Sequence, residues 1–211
     1  MKWGRIRDIS MTIEEGMAVW KNYAHKKPVI LAQQTHREGK PHESLLTFNS
    51  HTGTHVDAPL HMLPDGDTIE SIPLDVLCGP ARVLDLTHVT GAIGKAELEG
   101  MDIRQGERIL LKTSSSLSDA FDPAFPYLRQ DGAEFLAETG VRLVGIDALG
   151  IERDQPGYPA HRALMQRGVV ILEGLRLKNV EAGSYTLICA PLKLKGIDAA
   201  PARAFLLENG E

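Results

Sequence analysis

The stretch DGAEFLAETGVRLVGI, Asp131 to Ile146, decides the fold class. Asp131 to Thr139 reads as a helix, and Gly140 supplies the left-handed residue on which a helix C-terminus closes. Val141 to Ile146 is a short run of branched apolar residues bounded by turn formers, which reads as a strand. The same order recurs in YPAHRALMQRGVVILE, where Pro159 to Arg167 predicts a helix, Gly168 closes it, and Gly168 to Glu173 predicts a strand. Upstream, RVLDL (Arg82 to Leu86) and RILLK (Arg108 to Lys112) have the same branched, turn-bounded character. DISMTI near Asp8 and SYTLICAPLKL near Leu187 add strands with no helix between. Helix-fed strands in the middle and bare strands at the ends predict an α/β fold, a mixed sheet or partly open β-barrel with flanking helices.

The 211 residues are 43% hydrophobic and 24% charged, near the average for a soluble globular chain, with no internal repeat and no linker. One domain over residues 1–211 is expected, large enough to bury a core without disulfides. Cys78 and Cys189 lie far apart and outside any CxxC pattern, so both read as small buried hydrophobes of a reduced, cytoplasmic protein. MKWGRIRDIS at the amino terminus has basic residues but no apolar core of a signal peptide, and no segment approaches the length that spans a bilayer. The net charge of −5, with signs interspersed, gives no footprint for nucleic acid or membrane. A small-molecule ligand is expected. KLK at Lys193 to Lys195 reads as a solvated strand edge.

The chemistry concentrates in SHTGTHVDAPLH, Ser50 to His61. SLLTFN before it reads as a strand, and His51, Gly53, His55 and Asp57 continue at a spacing of two, on one face if the chain stays extended. Gly53, two threonines, Val56 and Pro59 all disfavour a helix there. Gly53, lacking a side chain, leaves room for an ion between His51 and His55, while His61, beyond Pro59, stands apart. Imidazole and carboxylate suit zinc and manganese, and catalytic sites keep a position open for water. Four such groups buried together without a counter-ion are costly, so their number points to metal where no single histidine would.

SHTGTHVDAPLH fits the pattern HxGTHxDxPxH, and on that pattern the chain resembles the cyclase family of metal-dependent hydrolases, which includes bacterial kynurenine formamidases and isatin hydrolases. The resemblance runs from DIS at Asp8 through Trp20 and the signature to GID at Gly145 and the late His161 and Glu173. It implies a cyclase-like, swivelling β/β/α fold holding two divalent metal ions, zinc or manganese. His51, His55 and Asp57 would bind one ion, Asp57 bridging to a second that His161 and Glu173 complete. His61 would be the acid/base and Trp20 would lie against an aromatic substrate. The implied reaction is hydrolysis of N-formyl-L-kynurenine to kynurenine and formate in tryptophan breakdown, or opening of the cyclic amide isatin, in a homodimer or homotetramer.

Two departures bear on substrate: Lys21-Asn22 follows the tryptophan where formamidases commonly carry Pro-Gly, and Ala148 follows GID where many relatives have serine. Asp147 is expected to hydrogen-bond backbone or a ligand histidine rather than to ligate. Thr54 is expected to fix a ligand by hydrogen bond, and Lys112 to Pro123 reads as a loop, by default an ordinary solvated one, with the pocket entrance as the alternative. Two other classes use the same residue types. Two histidines and a carboxylate can bind one redox-active iron for oxygen chemistry, and a closed metal site can merely brace a fold. A fourth histidine, together with ligands for a second ion, favours metal-activated water over a brace, and the number and kind of metal separate both from the iron reading.

Overall fold

The computed structural model describes residues 4–208. Its strands are β1 (Ile6–Asp8), β2 (Val29–Gln34), β3 (Glu43–Thr47), β4 (His55–Asp57), β5 (Cys78–Asp85), β6 (Ala92–Ile93), β7 (Arg108–Lys112), β8 (Tyr127–Leu128), β9 (Leu143–Ile146), β10 (Val170–Glu173), β11 (Gly183–Pro191) and β12 (Ala199–Glu208). Its α-helices are α1 (Leu74–Leu77), α2 (Lys95–Leu98), α3 (Gln130–Thr139) and α4 (Pro159–Met165). The expected α/β architecture is present, and its main sheet closes on itself. The order β12-β11-β5-β7-β9-β10-β4 returns to β12 through a β12–β4 pairing, with β1 added outside β12.

One arc of this barrel, β5-β7-β9-β10, is parallel, and its crossovers carry α2, α3 and α4 in turn. The rest of the ring is antiparallel. Parallel strands covered by helices are buried on both faces, which is why they read as continuous apolar runs. Alternation then splits them between two cores. Leu110, Leu143 and Leu172 point into the barrel with Val83, Leu187 and Leu206, whereas Ile109, Val144 and Ile171 face Leu136 and Leu164 of the helices. Gly140 (φ 78°) closes α3 as expected, its N–H donating to carbonyls of Leu136 and Ala137.

One strand is added to those expected, and three expectations are corrected. β12 closes the ring but was not read as a strand, because AAPARAFLLE is alanine-rich and carries Pro201, both unfavourable to a strand on sequence alone. DISMTI is strand only as far as Asp8. SLLTFN does not run into the histidine motif: β3 ends at Thr47 and pairs with β2 in a separate two-stranded ribbon. KLK is no strand edge, since β11 ends at Pro191 and Leu194 N–H donates to the Leu192 carbonyl in a tight turn. Cys189 is buried as expected and Cys78 half-buried, and both are free thiols. Met1 to Trp3 of the amino-terminal reading lie outside the described residues. Among the described residues no helix is long and apolar enough to cross a membrane.

Candidate metal centre

β4 and β10 run antiparallel with His55 opposite Glu173 and Asp57 opposite Ile171. Val56 and Leu172 between them point into the barrel, so His55, Asp57 and Glu173 emerge together on its outer face. α4 packs over this face and brings His161, its N-terminus starting at Pro159. His51 arrives by a different route from the one expected. The chain bends through residues 50–54, with Gly53 in the left-handed region at φ 66°, and only His55–Asp57 is strand. Gly174, at φ 69°, abuts this bend so closely that a Cβ there would collide with the Gly53 carbonyl.

The five residues named as ligands come together. Asp57 Oδ1 lies 2.9 Å from His51 Nδ1 and 3.4 Å from His55 Nε2, while its Oδ2 lies 3.8 Å from His161 Nε2. Glu173 faces His55 with Oε2 at 3.3 Å and His161 with Oε1 at 3.5 Å. Asp57 thus turns one oxygen to each side of the cluster. His61, expected to stand apart, has its ring centroid 4.3 Å from that of His51. Among the described residues, two sets of donor atoms lie close enough to share an ion: His51, Asp57 and His61, and His55, Asp57 and Glu173.

Asp57 is 1% exposed, yet neither of its oxygens has a hydrogen-bond partner, and His55 Nε2 and His161 Nδ1 are equally unsatisfied. Buried polar atoms left in that condition are costly. These groups approach one another without hydrogen-bond alignment, as donors do when they converge on a common point. A mixed imidazole–carboxylate set of this kind fits a divalent cation such as zinc or manganese.

The charges agree. Burial lowers the pKa of His55 and His161, but the carboxylates beside them, Asp57 and Glu173 for one and Glu152 and Glu173 for the other, raise both to about 10. Burial opposes ionisation of Asp57 and Glu173 too, and the surrounding histidines more than offset it, holding both below the usual carboxylate range. His61 differs. Burial, with the His51 and His161 rings adding to it, lowers its pKa against the opposing pull of Asp57 and Glu173.

Two supporting carboxylates were missed by sequence reasoning. Glu152 Oε2 accepts the His161 backbone N–H at 2.8 Å and sits 3.4 Å from the His161 Nδ1. Asp198 Oδ2 lies 2.8 Å from His51 Nε2 and 3.6 Å from His61 Nδ1. Neither sits in a periodic pattern. Asp198 reaches the centre only because β12 pairs with β4, placing Ala199 opposite Asp57. Contrary to expectation, Thr54 holds no ligand. Its hydroxyl donates to the Gly174 carbonyl at 2.6 Å and accepts Met11 N–H, tying three chain segments, while His55 Nδ1 is held by the Gly53 carbonyl at 2.9 Å. Asp147 takes the backbone option, accepting from the N–H and hydroxyl groups of both Thr113 and Ser116 and so anchoring the loop after β7.

The centre opens into a cavity of about 310 Å³ walled by Trp20, Met62, Leu149 and Tyr158 among others. Trp20 sits edge-on to Phe121 and Phe125, with Gly150 beneath its ring where a Cβ would collide. It therefore both packs and lines the cavity, whose walls include no residue of the Lys112–Pro123 loop; Phe121 of that loop meets the cavity only through its contact with the Trp20 ring. Lys21 and Asn22 adopt left-handed φ of 52° and 51°, and Lys21 Nζ bridges to Asp154 at 2.5 Å. Asp154 also accepts the Tyr158 hydroxyl at 3.0 Å, so the segment after Trp20 is strapped across to the opposite rim.

Comparison with known proteins places these features in context. The Cyclase family model matches residues 7–153. The kynurenine formamidase of Salinibacter ruber is 40% identical over 202 residues, covering 94% of this chain and 95% of the relative. A solved structure described as a potential metal-dependent hydrolase with cyclase activity superposes with a TM-score of 0.92 at 46% identity, over 98% of this chain and 99% of its own. Isatin hydrolase A from Labrenzia aggregata has a TM-score of 0.84 at 24% identity, over 96% of this chain and 93% of its own, a likeness of fold.

Proposed function

This chain belongs to the Cyclase family, and from that premise we propose that it is a metal-dependent amide hydrolase that cleaves an aryl formamide, N-formyl-L-kynurenine foremost, to kynurenine and formate. The observation that carries the reading is the buried Asp57 carboxylate, with both oxygens unsatisfied and histidines on each side. His51, His55 and Asp57 would hold one divalent ion, and Asp57, His161 and Glu173 a second, zinc being the first candidate and manganese the next. Ions in such a site acidify bound water and polarise the amide carbonyl.

The chain's own residues do the rest. His61, whose pKa burial lowers, can take the proton that water loses on attack. Asp198 is the carboxylate nearest its Nδ1, so the transfer runs through Nε2. The same nitrogen returns the proton to the departing aryl amine as the C–N bond breaks, which balances the reaction: water and amide in, formate and amine out. Trp20 offers an indole to the substrate ring.

His61→Ala should lower kcat by about 10²- to 10⁴-fold while elemental analysis finds the metal retained. Loss of metal in that variant would make His61 a ligand, the role that its approach to His51 and Asp57 also permits, and would end the acid/base assignment. A panel of aryl formamides, cyclic amides and lactones separates formamidase from isatin hydrolase-like activity. The enzyme would work in the cytoplasm, as a homodimer or homotetramer. Support for assembly comes from the β2–β3 ribbon, which leaves Leu31 53% and Leu46 55% exposed next in sequence to the site.

A further inference from the structure

We propose that Lys26 selects substrates bearing a carboxylate, taking the anionic tail of an aromatic amide whose reacting end lies at the metal centre; this rests on the formamidase reading above. The argument is one of elimination among the charges on the cavity wall. Glu173 faces His55 and His161 and accepts the Ile151 N–H. Glu152 holds His161, and Asp154 is taken by Lys21 and Tyr158. The Arg153 guanidinium donates to the carbonyls of Phe125 and Ala124 and lies over the rings of Phe125 and Tyr127. Lys26 is left. It is half-buried on the same wall, and among the described residues no carboxylate lies within ion-pair distance of it.

Its position is not left to chance. Lys26 ends the short 3₁₀ turn Ala24–Lys26, its N–H donating to the Tyr23 carbonyl, in the segment that the Lys21–Asp154 bridge straps to the opposite rim. The cavity thus has a metal-binding pole, an aromatic and aliphatic wall with Trp20, and one uncommitted ammonium. A flat ring with an amide to cleave and a carboxylate tail meets all three, and an ammonium-to-carboxylate hydrogen bond is stronger than a neutral one. A cyclic amide without a tail would leave Lys26 unused.

The test is a ratio of affinities measured by calorimetry on the metal-loaded enzyme. L-kynurenine carries the carboxylate; 2-aminoacetophenone has the same ring and ketone without the amino-acid tail. Lys26→Met should reduce the preference for kynurenine over 2-aminoacetophenone by about tenfold, and Lys26→Arg, which keeps the charge, should retain most of it. A preference unchanged in Lys26→Met overturns the proposal, as does one lost equally in Lys26→Arg, which would point to packing. Turnover decides the other question separately. An enzyme that hydrolyses no aryl formamide yet shows the Lys26-dependent ratio loses the formamidase reading and keeps this one.

Discussion

Two neighbouring segments of this chain are solvated in opposite ways. The β2–β3 ribbon, Val29 to Thr47, exposes Val29, Ile30, Leu31, Leu45 and Leu46, while Thr52 to Asp57, a few residues on, buries two threonines, a histidine and an aspartate at 2% exposure or less. Apolar outside and polar inside is the reverse of what folding alone favours. On the proposed reading a cation would complete the buried segment and a second copy of the chain would cover the ribbon. Function is concentrated where the ordinary solvation rule is broken.

The comparison breaks most decisively at Asp57. Asp57→Asn keeps the shape and removes the charge, and should cost the bound metal together with a thousandfold or more of turnover, on the several kcal/mol that such ions supply, with roughly tenfold for each 1.4 kcal/mol. Elemental analysis alongside steady-state rates checks it. A variant that keeps both metal and activity would show that the buried charge serves some other purpose. Glu152→Gln touches the same centre indirectly, through His161. Metal affinity should fall by about 10- to 100-fold in competition with a chelator, and activity should return at saturating metal.

The ribbon gives the opposite half of the comparison. Leu31→Glu or Leu46→Glu should weaken self-association by about tenfold or more, since an apolar side chain buried at an interface contributes ~1.5–3 kcal/mol, and sedimentation velocity reads the change in mass. An unaltered mass distribution would mean that this ribbon covers nothing of its own kind.

The smallest effect is in protons. His55 and His161 are raised to about 10, so in the metal-free fold their contribution to stability is complete below their ordinary value of 6.5 and is lost as pH rises through 10. Asp57 is lowered, so its contribution is present above the ordinary carboxylate range and is lost as pH falls below it. Near neutral pH both contributions stand. A cation entering then must displace the two histidine protons, a release that calorimetry in buffers of different ionisation heat detects and that fades above pH 10. Binding with no proton release would mean that the histidines are already neutral.

Much of this arrangement was legible in the sequence, and unevenly. The parallel arc could be read because β7, β9 and β10 are buried on both faces and so appear as unbroken apolar runs, with Gly140 and Gly168 marking the helix ends. Closure of the ring could not, since the part of β12 that pairs with β4, Ala199 to Pro201, is two alanines and a proline with no strand signature. The same gap hid Asp198, which arrives through the β12–β4 register. The motif's residue types announced metal, but the period-two reading placed His51 on a strand when a left-handed Gly53 swings it in from a bend. A spacing pattern fixes which side chains can share a face only while the backbone stays regular, and here it does not.

The contact of Gly174 with the Gly53 carbonyl has a consequence for how such an enzyme can drift. One glycine follows Glu173 and the other stands midway between His51 and His55, so the two halves of the centre are separated by less than the thickness of a methyl group. A side chain gained at residue 174 would push the motif bend and the Glu173 strand apart together. Each position is held to glycine for its own reason, residue 174 by this contact and residue 53 by its left-handed φ, so a substitution that leaves the centre undisturbed has to fall on the rim, where Lys21, Asn22 and Lys26 stand.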